Sequence, residues 1–144
     1  MITNAIAIIA TLELGATASA AQDAATVPFR TLARGTDSRI DTRRELVART
    51  VGSWHLLWHK HSGGGDPPPI DVTRELVIAV FSGKQPAAYH AIEIVTVARE
   101  GETLVVHYRN QIAANSPVGA TLATPFHIIA VRAHGTSATF IEDR

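Results

Sequence analysis

The run Leu76-Val77-Ile78-Ala79-Val80-Phe81 sets six apolar side chains in succession, most of them β-branched or aromatic. A strand sends alternate side chains to opposite faces, so a run of this kind needs apolar cover on both sides. Its surroundings are also strand-like. Ile92, Ile94 and Val97 alternate with a change of phase near Val95, which predicts a β-bulge. Glu100-Gly101 predicts a tight turn, and Leu104, Val106 and Tyr108 then alternate against Val105, His107 and Arg109. Residues 126–131 and 138–141 add two more strands, with His134-Gly135-Thr136 between them. None of these segments leaves room for a helical crossover, so residues 76–141 are expected to form a compact antiparallel sheet.

Upstream, the hydrophobic period changes. Thr50 is placed to cap a helix, and Val51, Trp54 and Trp58 recur at i, i+3 and i+7 with Leu57 widening the stripe. The helix should end near His61, ahead of Gly63-Gly64-Gly65, and anchor on the sheet through its tryptophans. The prolines at 67–69 make the next stretch an extended surface crossover within one domain. Short strands are expected near 27–33 and 44–49, separated by turn residues at 34–38. The fold class is therefore α+β and mostly β: an antiparallel sheet, sandwich or open barrel-like, with one short helix from the N-terminal side packed on it.

Length and composition restrict the function classes. The 144 residues suit one domain with a proper core, and 46% apolar against 18% charged residues excludes a disordered, charge-driven binder. Thirteen basic residues balance thirteen acidic ones, so no overall field gathers nucleic acid. The chain has no cysteine, which removes disulfides, thiolate chemistry and zinc–thiolate sites. Residues 1–20 read as a signal peptide. An apolar stretch precedes Ala18-Ser19-Ala20, although no Lys or Arg stands near the start and Glu13 interrupts the stretch. It is too short for a stable membrane anchor. The organisation expected is a signal peptide (1–20), a spacer with a first strand (21–42) and a β-rich domain (43–144), in the periplasm or secreted.

Candidate chemistry is sparse. His55 and His59 stand i, i+4 on the helix and form a minor candidate for metal binding, without a His-Glu-x-x-His pattern or a third ligand at a telling distance. No Gly-x-Ser-x-Gly frames Ser62, Ser82 or Ser116, and Gly63-Gly64-Gly65 runs into Asp66 and prolines instead of Lys and a helix. Glu142 and Asp143 read as solvated ends. No enzyme activity and no cofactor is expected. The most informative loop is Gly83-Lys84-Gln85-Pro86-Ala87-Ala88-Tyr89, read as a hairpin tip, with Lys84, Pro86 and Tyr89 as candidate binding residues and residues 115–125 as a second contact loop.

That loop also carries a family resemblance. Residues 76–83, Lys84 through Tyr89, Ile92-Glu93-Ile94, Leu104-Val105-Val106 and Thr124-Pro125-Phe126-His127-Ile128-Ile129 resemble, in order and spacing, the PrcB C-terminal domain family. Trp54-x-x-Leu57-Trp58-x-x-His61 and Pro69-Ile70-Asp71 resemble the segment preceding that domain. Ala87 and Ala88 stand where the family tends to have glycine, and Asp71-Val72 where it tends to have Asp-Phe. The resemblance implies a non-catalytic extracytoplasmic protein whose partner is another protein, a protease included, as an accessory or stabilising subunit of a protease complex. A loop-based protease inhibitor is the alternative, and a histidine-based metal binder is the second alternative.

Overall fold

A computed structural model describes residues 25–86, 90–112, 122–133 and 137–144. The expected signal peptide lies outside them. Eight strands and one helix follow in order among the described residues: β1 (Ala25–Thr26), β2 (Phe29–Gly35), β3 (Arg43–Ala48), α1 (Val51–Ser62), β4 (Glu75–Ser82), β5 (His90–Glu100), β6 (Thr103–Ile112), β7 (Phe126–Arg132) and β8 (Ser137–Asp143). They build two four-stranded sheets, β1-β5-β6-β8 and β2-β7-β4-β3. The class is the expected one: α+β, mostly β, with a single helix and sheets that pack as an open sandwich, not a closed barrel.

β4 is a central strand, between β7 and β3, and its side chains divide cleanly. Leu76, Ile78 and Val80 enter the core between the sheets, with Ile92, Ile94, Val97, Leu104, Val106 and Tyr108 from the other sheet. Val77, Ala79 and Phe81 face the opposite way and pack under α1, with Trp54 and Leu57. Val77 through Val80 have no exposed surface. The molecule thus has three layers: sheet, sheet and helix.

α1 begins as its sequence predicts. Ser53 N–H donates to Thr50 Oγ1 at 3.1 Å, and Thr50 N–H donates to Ser53 Oγ at 3.1 Å, a reciprocal capping box. It ends on Gly63 in the left-handed region (φ 80°), whose N–H donates to His59 O. The buried stripe differs from the expected one by one residue at each end. Val51 is 54% exposed, while His61 is buried with Trp54 and Leu57. Trp54 Nε1–H donates to Pro68 O at 3.0 Å, so the proline crossover closes over the helix within one domain.

The bulge predicted near Val95 is present, between Ile94 and Thr96 in the β5–β6 register. The extra residue shifts the phase, keeping Ile92, Ile94 and Val97 all inward and leaving Val95 38% exposed. Three expectations need correction. β8 pairs with β6 in parallel, because the connecting chain crosses through β7 of the other sheet, which does the work of a crossover helix. β4 and β5 belong to different sheets, so they are not the two arms of the hairpin expected there. β2, expected ahead of the β-rich domain, pairs with β7 and forms an edge of the second sheet.

His127 joins the two sheets from within. Its Nδ1 accepts from Ile94 N–H at 2.9 Å, beside the bulge, and its Nε2 lies 2.9 Å from Thr31 Oγ1. A neutral ring with the proton on Nε2 satisfies both contacts, whereas a proton on Nδ1 would oppose the Ile94 N–H. Burial, reinforced by Arg34 and opposed by Glu93, pushes its pKa from 6.5 down to about 4. Above pH 6.5 the ring is neutral folded and unfolded, and its contribution is complete. Between 6.5 and about 4 the unfolded chain binds a proton that the fold refuses, so stability falls as pH falls, by at most about 3 kcal/mol. Urea titrations across this window should show that slope in the wild type and a flatter one in His127→Gln; equal slopes would exclude the role.

Candidate interaction site

β3 ends its sheet, and among the described residues no further strand pairs with its outer edge. Arg44, Leu46 and Ala48 alternate with Arg43, Glu45 and Val47. Leu46 and Ala48 lie with the α1 layer, and Val47 packs on the core between the sheets. Where β3 meets the C-terminal turns of α1, a cavity of about 360 Å³ opens, lined by Arg39, Ile40, Asp41, Arg44, Leu46 and Lys60. A second hollow of about 160 Å³ continues it along the helix past Ser53, Leu56 and Leu57, with Leu46 and Lys60 lining both. Leu56 is 58% exposed at its rim. The result is a groove with an aliphatic floor, three cationic side chains and an open strand edge.

The wall of the groove is fixed by a buried pair. His61 Nδ1 lies 2.8 Å from Ser38 Oγ, which also accepts from Ile40 N–H, and Arg39 N–H donates to His61 O at 2.8 Å. The His61 ring packs 4.1 Å from Phe126 and 5.2 Å from Trp58, centroid to centroid. Burial holds its pKa below the ordinary histidine value, opposed by Asp37. Ser38 and His61 are both buried, so this hydroxyl–imidazole contact presents nothing to a substrate. It ties residues 38–40 to the helix end.

Lys84 reaches the same place. Gly83 has φ 73°, and a Cβ there would lie 2.8 Å from Arg43 N, so only glycine lets the chain cross β3 this closely. Lys84 N–H donates to Asp41 O at 3.0 Å and Lys84 Nζ lies 3.6 Å from Asp41 Oδ2. Gln85 exchanges two backbone bonds with Ala123, which pins part of the second expected contact loop; its residues 115–121 lie outside the described ones. Pro86 is exposed, and Tyr89 lies outside the described residues. His55 and His59 are both exposed on α1, and among the described residues no three His, Cys, Asp or Glu side chains gather to hold a metal.

A polar chain that sequence reading missed closes the β3/β8 side of the sandwich. Tyr108 Oη accepts from Arg43 Nη2 at 2.6 Å and donates to Glu45 Oε1 at 3.0 Å. Arg43 also binds Glu142, which accepts from Asn110 Nδ2 at 2.7 Å, and Ser82 Oγ donates to Asn110 Oδ1 at 2.7 Å. The bonds from Asn110 and Arg43 hold the Glu142 carboxyl below the usual range, and burial raises the Tyr108 phenol. Asp143 Oδ1 lies 2.8 Å from His107 Nδ1. Glu142 and Asp143 are exposed, as expected of solvated ends, and are in addition paired members of β8. The sequence signal was their continuation of the β8 alternation, which charge concealed.

No family model, no curated protein and no solved structure matches this chain. Among the described residues no helix is long and apolar enough to cross a membrane.

Tyr108 is 2% exposed, and its hydroxyl is the link between β6 and β3. Tyr108→Phe should cost about 1–2 kcal/mol in urea unfolding, the range for losing buried bonds to charged groups. A change below about 0.3 kcal/mol would show that the Arg43–Glu142 pair closes this side unaided.

Proposed function

We propose that the protein is a non-catalytic interaction module of an extracytoplasmic assembly, and that the β3–α1 groove receives an extended, acidic segment of a partner protein. The observation that carries this is the coincidence of an open strand edge with an aliphatic floor under Arg39, Arg44 and Lys60. An added strand would draw backbone bonds from β3 while alternate side chains enter the hollows, the mode by which sheet edges capture peptides. Charged residues on edge strands also discourage indiscriminate pairing, so Arg43 and Arg44 serve selectivity as well. The resemblance to the PrcB C-terminal domain family supports a protease as the partner class and an exported setting. It rests on the sequence motifs alone.

Binding energy should come from the floor, and encounter rate and sign selectivity from the cations. Leu56→Asp and Arg44→Glu can be compared with the wild type in affinity capture from periplasm or culture medium, followed by titration of acidic peptides from any captured protein. The expected result is a reproducible partner that binds at least ten-fold more weakly to either variant. Identical capture by wild type and both variants, or no reproducible partner, would contradict the reading.

A further inference from the structure

At the end of the sandwich where β4 begins and β5 and β7 finish, three arginines surround one cavity. Arg74, Arg99 and Arg132, with Ala133, line a space of about 360 Å³. They come from three distant parts of the chain: the turn before β4, the last turn-facing residues of β5, and the end of β7. Nothing in the sequence groups them, and the whole-chain balance of 13 basic and 13 acidic residues hides them.

Their counter-charges are few. Arg74 Nε stands 3.9 Å from Asp71 Oδ2, a long contact between side chains that are 67% and 53% exposed. The Asp71 carboxylate is already committed, because Thr73 N–H and Thr73 Oγ1 both donate to its Oδ1; these bonds, and then Arg74 and Arg132, keep its pKa low. Glu75, the register partner of Arg132, is also taken. Its Oε2 accepts from Arg30 Nε at 3.1 Å, and its Oε1 accepts from Arg30 Nη2 at 3.0 Å and from Asp71 N–H at 3.1 Å. Among the described residues, Arg99 and Arg132 make no ion pair or side-chain hydrogen bond.

Three permanently charged guanidiniums around one space repel one another, and one half-exposed carboxylate does not neutralise them. A multivalent anion removes the repulsion. Guanidinium forks match the oxygen geometry of a phosphate group, and three of them favour a dianion over a monocarboxylate. We infer that Arg74, Arg99 and Arg132 form a binding site for a phosphate group, either free phosphate or a phosphate monoester. The site lies apart from the β3–α1 groove, shares no lining residue with it and does not depend on the function proposed for it.

Thermal unfolding of the full chain near pH 8, at constant ionic strength, tests this. Replacing chloride by 20 mM inorganic phosphate should raise the midpoint by about 2–6 °C. Glycerol phosphate as a second probe distinguishes the sources: a larger shift assigns the site to monoesters, a smaller one to free phosphate. Arg99→Gln and Arg132→Gln should lose most of the shift while matching or exceeding the wild-type midpoint in chloride, because they relieve repulsion. Arg44→Gln, in the other groove, should keep it. The inference is overturned if phosphate leaves the wild type unmoved, or if Arg99→Gln and Arg132→Gln respond as the wild type does.

Discussion

Every layer of this molecule exists to cover β4. Val77 to Val80 have no exposed surface, and each fully buried aliphatic side chain stabilises the fold by about 1.5–3 kcal/mol. A strand that is apolar on both faces cannot sit in a one-layer sheet or at the surface of a sandwich. One face here is covered by the β1-β5-β6-β8 sheet, and the other by α1. The rest follows from that demand. The bulge at Val95 keeps β5 in phase with the inner face, and the capping box and Gly63 fix the ends of the covering helix. The Pro68 carbonyl holds Trp54 down.

Covering β4 with a helix also makes the candidate site. A helix laid over the sheet leaves a seam where its side departs from the edge strand, and here the seam runs between Leu46 and Leu56–Lys60. Had another strand paired beyond β3, the same seam would be closed. The chain that returns from β4 crosses at Gly83 and brings Lys84 to Asp41, so the loop singled out by its sequence borders the groove without forming its floor.

What was legible in the sequence was local. The apolar run of β4, the phase change at Val95, the Glu100-Gly101 turn and Thr50 as a cap each rest on neighbours within a few residues, where period and turn chemistry are strong. What was not legible depends on partners far along the chain. The parallel pairing of β8 with β6 needs β7 to act as the crossover, and no periodicity records which sheet a strand joins. Glu142 and Asp143 are exposed as expected, but their pairing was not legible because their partners, Arg43, Asn110 and His107, are 99, 32 and 36 residues away. His61 and His127 are buried only because Ser38, Ile94 and Thr31 supply bonds that sequence spacing does not reveal. The arginine cluster is hidden for the same reason, since charge balance sums over a chain and binding depends on where charges meet.

The groove has meaning only if β3 presents an open edge beside a fully covered β4. Residue-resolved amide hydrogen exchange measures both at once. The amides of β4 should exchange only through global unfolding, while every second amide of β3, the set directed away from β4, exchanges orders of magnitude faster. Uniform slow exchange along β3 would mean that its outer edge is already occupied, and the account of the site would fail.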